Sequence, residues 1–263
     1  MNRSRYSFRW LMATTKVAVI LTMATGCAQI KRSVPGMERV IDVTKVVIRE
    51  PETWVPLTTA AVIAATNLDR EISDWASEET PIFGSQQSAD DASDDIRNLL
   101  VVGAAASTFF APVPEGENGF RIRRIVANAA GGTAASAFVE VGKLSVGRDR
   151  PNDRDDESFP SGHSAGAFTS SVFMEQNLNE TIENPLLRRS IKIGTTGAAS
   201  LVAWARVEAQ EHFPVDVLVS AGVSNLVAKV FYQSITSDGL SGVPSVAFQA
   251  GRDGFIMRLD RRF

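Results

Sequence analysis

Reactive sulfur and imidazole are both scarce in this chain, which holds one cysteine and two histidines in 263 residues. With Cys27 as the single thiol, no disulfide can form within the chain. The apolar stretches 99–110 and 193–205 fall short of about 20 residues, the length needed to cross a bilayer as a helix. Arg121, Arg123, Arg124, Glu140 and Lys143 interrupt the helical pattern that follows the first of these. A mean hydropathy of −0.01 fits a soluble bundle better than a set of membrane spans. Positive charge is in deficit, with 27 Lys and Arg against 30 Asp and Glu. The net charge is −3, and Arg3, Arg5, Arg9 and Lys16 all fall within the first 26 residues, which carry no acid, so residues 27–263 carry −7. Nucleic-acid binding is excluded on that balance, because it needs clustered cations to displace counterions from phosphates. Neither a strand–helix–strand alternation nor an internal repeat is visible, so the expected class is all-α.

What is present begins with a targeting segment. Residues 1–26 combine a basic start with an apolar stretch over 17–24, too short to span a bilayer. Ala24-Thr25-Gly26-Cys27 resembles a bacterial lipoprotein cleavage site, which implies a signal peptide over 1–26 and a lipid on Cys27. Ala28 in place of an aspartate implies the outer membrane and, with it, a periplasmic location in the cell envelope. The rest divides into N-terminal helices and a polar loop over 27–92, a core over 93–235, and a linker with a tail over 236–263.

Helices are expected from Val40 to near Pro51, from Trp54 to Ala65, and from a short segment capped by Asp69. Residues 80–92 read as a polar loop, followed by an apolar helix from about Asp94 to Phe110 that Pro112 and Pro114 terminate. The next helix runs from about Gly119 to Val141 through Ala129-Ala130-Gly131-Gly132, whose small side chains admit a close neighbour. Lys143 sits at its C-terminal end. After Tyr232 the alternation around Ala250-Gly251-Arg252-Asp253-Gly254 predicts a short C-terminal β-hairpin, packed against the helical body.

The chemistry concentrates in two stretches, Lys143 to His163 and Arg206 to Asp216. Lys143 and Arg150 bracket a helix end, with Pro151 stiffening the exit; such a pair, closed by Arg206, can clamp the oxygens of an anion. Taken singly, each cation is as well explained by surface pairing with Asp149, Asp153, Asp155 or Asp156. Pro160-Ser161-Gly162-His163 precedes a small-residue helix, so the amides of Gly162 and His163 lie at a positive helix end suited to an oxyanion. His212 stands just ahead of a second helix begun by Pro214. Asp216, one turn on, is positioned to accept a hydrogen bond from one ring nitrogen and leave the other free to attack. No metal cluster is visible, so neither a metal nor another cofactor is expected.

These residues match three motifs of the phosphatidic acid phosphatase type 2 superfamily, a group that also holds the bacterial class A acid phosphatases and the vanadium haloperoxidases. Lysine, six residues and Arg-Pro is Lys143 to Pro151; Pro-Ser-Gly-His is Pro160 to His163; arginine, five residues, histidine, three residues and aspartate is Arg206, His212 and Asp216. Two positions depart from the family pattern: Ala205 replaces the usual serine, and the spacer of residues 152–159 is short. The resemblance implies a helical bundle of the acid phosphatase or haloperoxidase type. It also implies a phosphatase acting on a phosphorylated small molecule or a lipid phosphate. In that mechanism Lys143, Arg150, Ser161, Gly162 and Arg206 bind phosphate, His163 protonates the leaving oxygen, and His212 is the nucleophile. A vanadium-dependent haloperoxidase is the alternative enzyme, disfavoured by the short chain, and a non-catalytic envelope scaffold is the alternative without chemistry.

Overall fold

The computed structural model describes residues 36–114 and 119–236, with the backbone of 245–251 and 254–260. The signal segment, Cys27 and the tail's side chains lie outside the described residues. Eight helices form the described body: α1 (Met37–Val47), α2 (Pro51–Thr66), α3 (Leu68–Glu79), α4 (Gln86–Phe110), α5 (Phe120–Val146), α6 (Gly162–Asn179), α7 (Pro185–Glu208) and α8 (Pro214–Thr236). Ser245–Gly251 and Gly254–Asp260 pair antiparallel as β1 and β2, with Ser245 opposite Asp260.

Local chemistry sets several of these boundaries. Pro51 and Pro185 start α2 and α7 where a missing N–H is tolerated, and the Asn184 side chain accepts from Leu186 N at 2.9 Å. Gly147 closes α5 in the left-handed conformation (φ 58°). The polar loop expected over 80–92 is much shorter. Ser85 caps α4 by accepting from Ser88 N at 3.1 Å, and the helix runs unbroken from Gln86. Polar composition hides a helix whose first turns face charged partners rather than a core. Asp69, expected to cap its own helix, lies inside α3 behind Asn67 and accepts instead from Val215 N, in the first turn of α8, at 2.8 Å.

Helices α6 and α8 occupy the middle. Helix α8 packs against α1, α2, α5 and α6, and α6 packs against α4, α5, α7 and α8. Their shared core includes Ala167, Phe168, Val202, Val207, Val217 and Ala221. Small residues set the helix spacing. A Cβ on Gly131 would lie 3.2 Å from Phe173 Cζ and 3.3 Å from Phe231 Cβ, the close approach expected of the Ala129–Gly132 stripe. One residue before Lys143, a Cβ on Gly142 would strike the ring of Pro160, so the end of α5 lies directly on the turn that leads into α6. Helix α8 is long and apolar enough to cross a membrane, with a hydropathy of 1.4, but 56% of that window is buried inside the body.

A methyl group on Gly222 would lie 2.5 Å from Leu57 Cγ and 2.9 Å from the Thr53 carbonyl oxygen, which belongs to the α2 backbone. Gly222→Ala is therefore expected to destabilise the protein by about 1–3 kcal/mol through overpacking, measured as a lowered midpoint in denaturant.

Candidate active site

The site is assembled from helix ends. Lys143 lies in the last turn of α5, Ser161 and His163 at the start of α6, Arg206 in the last turn of α7, and His212 immediately ahead of α8. Between α5 and α6, residues 148–158 close on themselves. Arg150 N donates to Asp155 O at 3.0 Å, and Ser158 N donates to Arg148 O at 2.9 Å, so the short spacer forms a compact loop.

The cations gather on Glu211, a residue that none of the three motifs marks. Glu211 is 4% exposed and directly precedes His212. Its carboxylate bonds Arg150 Nη1, and accepts from Arg206 Nη2 at 3.1 Å, Arg154 Nη1 at 2.9 Å and Asn152 Nδ2 at 3.1 Å. Arg150 also pairs with Asp155 at 2.6 Å, one of the surface partners expected of it, but its contact with Glu211 turns it inward. Arg206 Nη1 bonds Asp90 and donates to Ser93 Oγ at 3.1 Å, both on α4. Its buried Nε has no partner among the described residues. Lys143 lies 3.4 Å from Glu157. Ala205, the departure from the family pattern, is fully buried against Ala89 and Ala209, where α7 meets α4.

His212 is 2% exposed, and its Nδ1 lies 2.6 Å from the Ser158 carbonyl oxygen. A carbonyl can only accept, so Nδ1 carries the proton and Nε2 keeps its lone pair. Burial, reinforced by Arg206, Arg150 and Lys143, holds the ring well below the ordinary imidazole pKa, so it is neutral near pH 7.

Asp216 does not orient His212 directly, contrary to the expectation from spacing. Its Oδ1 accepts from Arg148 Nη1 at 2.6 Å, while Oδ2 accepts from Ser158 Oγ at 2.6 Å and Phe213 N at 2.9 Å. The carboxylate turns back to cap the start of its own helix, which leaves the ring to the loop. Its influence passes through Ser158, which gives its hydroxyl to Asp216 and its carbonyl to His212. Burial pushes the Asp216 carboxyl up to about 6, against the opposing pull of Arg148 and Ser158. Arg148, which sequence pattern does not single out either, reaches Asp69 Oδ2 at 2.6 Å and stacks on the Phe213 ring with its guanidinium carbon 4.1 Å from the centroid.

His163 lies in the first turn of α6, and Ser161 is the helix cap, fully buried and accepting from Ser164 N at 3.4 Å. The Gly162 and His163 amides therefore open the helix at its positive end. His163 Nε2 lies 2.8 Å from Asp94 Oδ1 on α4. Burial, then Arg206, lowers the His163 pKa, while Asp94 opposes them. Glu208, also buried, holds the turn ahead of α4 by accepting from Ile82 N at 3.0 Å and Phe83 N at 3.1 Å. Among the described residues no group of three or more His, Cys, Asp or Glu is arranged to hold a metal ion.

Replacing Arg148 by Met leaves the fully buried Asp216 without its cation. The expected loss is about 3 kcal/mol, at the lower end for an unpaired buried charge, and Arg148→Lys should recover only part of it, since one ammonium cannot span both carboxylates. Chemical denaturation of both variants beside the parent checks this.

Residues 125–239 match the family model of the PAP2 superfamily. No curated protein matches the chain. Among solved structures, the crystal structure of a transmembrane PAP2-type phosphatidylglycerolphosphate phosphatase from Bacillus subtilis is similar, with a TM-score of 0.50 and 20% sequence identity over 74% of this chain and 94% of that one. The likeness supports the helical fold, and the matched span contains all three motifs with each charged residue in place. Residues 125–239 thus carry the sequence pattern of the PAP2 superfamily, on a helical body whose fold is similar to that of the transmembrane phosphatase.

Proposed function

We propose that the protein hydrolyses phosphate monoesters or lipid phosphates without a metal, through a phosphohistidine on His212. The observation that carries this reading is the convergence of Arg150 and Arg206 on one carboxylate, Glu211, beside a neutral His212 whose Nε2 is free. A substrate phosphate exchanges for that carboxylate as the arginines' partner, with Lys143, Ser161 and the Gly162 amide completing the cradle. His212 Nε2 attacks phosphorus as the ester P–O bond breaks, and His163 gives a proton to the departing oxygen. Water then attacks the phosphohistidine and yields its proton to His163, which releases phosphate and restores both rings. Asp216 serves by holding Ser158, and so His212, in place.

A lipid phosphate is favoured over a soluble ester by the cleft that opens at Gly162. It has a volume of about 510 Å³ between α4, α5 and α6, with Val101, Ala104, Ala135, Val139 and Phe173 in its walls. Such a space takes an apolar chain whose phosphate lies at the start of α6. The envelope location, the signal segment and a lipid anchor on Cys27 rest on the sequence pattern and belong to the same proposal, as does a C-terminal hairpin that packs on the body.

Purified protein lacking residues 1–26 should hydrolyse a phosphomonoester in EDTA and be inhibited by vanadate. It should also trap a phosphoryl label that survives an alkaline quench and vanishes in His212→Ala. Activity lost to EDTA overturns the mechanism, and peroxide-dependent bromide oxidation with vanadate and no hydrolysis replaces it with the haloperoxidase reading. The pH profile is a separate check. His212 must be neutral and its pKa lies well below 6.5, so the acid limb is displaced downward. His163 must be protonated and its pKa is also lowered from 6.5, so activity falls as pH rises through a value below that. The expected optimum is therefore acidic; a plateau extending above neutrality contradicts these assignments.

A further inference from the structure

We propose that Asp94 is a positioning residue for His163, holding its Nε2–H so that Nδ1 is the nitrogen that delivers and recovers the proton. The inference rests on the reading of His163 as the general acid, and it adds a group from a helix outside all three motifs.

The geometry is specific. Asp94 Oδ1 lies 2.8 Å from His163 Nε2, across 69 residues of chain. Asp90, Ser93 and Asp94 fall on one face of α4 by their spacing of three and four residues. Asp90 and Ser93 hold Arg206 while Asp94 holds His163, so one rigid face positions both an anion ligand and the proton donor. That face is itself fixed against α7. Glu208 grips the backbone of Ile82 and Phe83 just ahead of the helix, and Ala89 packs on Ala205 and Ala209.

A carboxylate can only accept, so the hydrogen bond assigns a proton to Nε2 in every charge state of the ring. In the imidazolium Nδ1 carries the second proton. When the ester P–O bond breaks, that proton moves to the leaving oxygen and the ring is left neutral with Nε2–H still on Asp94. In the second step Nδ1 takes a proton from the attacking water. The charged groups facing His163 are Asp94 and Arg97 from α4 and Arg206 from α7. Of these only Asp94 favours the imidazolium, so its loss lowers the pKa of the ring and shrinks the protonated fraction available to the leaving group.

Asp94 is half exposed, so Asp94→Asn is compatible with the fold, and the exposed Asp95→Asn serves as the control. Steady-state kinetics would compare an alkyl phosphate, which needs a proton donor, with p-nitrophenyl phosphate, which scarcely does. Asp94→Asn should lose about 10-fold or more of kcat on the alkyl phosphate, within the 10²–10⁴-fold reach of general-acid catalysis, and about 2-fold or less on p-nitrophenyl phosphate. The basic limb of the pH profile should shift to lower pH, Asp94→Glu should recover most of the loss, and Asp95→Asn should match the parent. His163→Ala in the same assay separates the two assignments. If it shows the leaving-group dependence and Asp94→Asn shows neither that dependence nor the shifted limb, the role of Asp94 is overturned alone. If His163→Ala loses activity equally on both substrates, the general-acid reading falls and this proposal falls with it.

Discussion

Cations that share one anion repel each other whenever it is absent. Two unit charges 4 Å apart oppose each other by about 4 kcal/mol at the effective dielectric of a protein surface, so a site that keeps a buried arginine, a partly buried one and a lysine together needs an internal counter-charge. Glu211 supplies it. Its carboxylate joins Arg206 at the end of α7 to Arg150 and Arg154 in the loop before α6. The same device recurs with its signs reversed one layer away, where Arg148 separates Asp69 from Asp216. Together the two knots tie α3, α4, α7, α8 and the loop 148–158 into one electrostatic unit.

The packing of the body explains why these charges can be so close. Helices α6 and α8 form its middle, and His163 and His212 stand at their starts, where amide groups are unpaired and the helix dipole is positive. Gly142 against Pro160, and Ala205 against Ala89, bring the neighbouring helix ends near enough to deliver Lys143 and Arg206. Small residues thus set the distances over which the charges act.

Much of this arrangement is legible in the amino-acid sequence. The positions of Lys143, Ser161, Gly162, His163 and His212 at or beside helix ends follow from local spacing, caps and residue chemistry. The partners of those residues are not legible, for a physical reason. Asp90, Asp94, Asp69 and Arg148 act across 68 or more residues of chain, and only tertiary packing reveals such pairings. Glu211 stands directly beside His212, yet a charged residue in a polar segment is most often solvated, and nothing local separates a buried carboxylate from an exposed one. Asp90 and Asp91, in the first turns of α4, read as loop because helix patterns are recognised by an apolar stripe. This helix instead turns its polar face to an arginine and a histidine. Asp216 shows the reverse error, where correct spacing suggests a bond that the start of its own helix takes instead.

The hold on His212 carries a consequence of a different kind. Its ring is fixed by the main chain of Ser158, and a peptide carbonyl has no proton to gain or lose in water at any ordinary pH. The tautomer of His212 is thus insulated from acidity, which a carboxylate orienter, itself titratable, could not guarantee. The acceptor itself is common to every amino acid at position 158, while the serine hydroxyl adds the tether to Asp216 that holds the carbonyl in place. What evolution can adjust is the path of the loop that presents it, so the inheritance of this contact lies in backbone shape more than in the identity of any one residue.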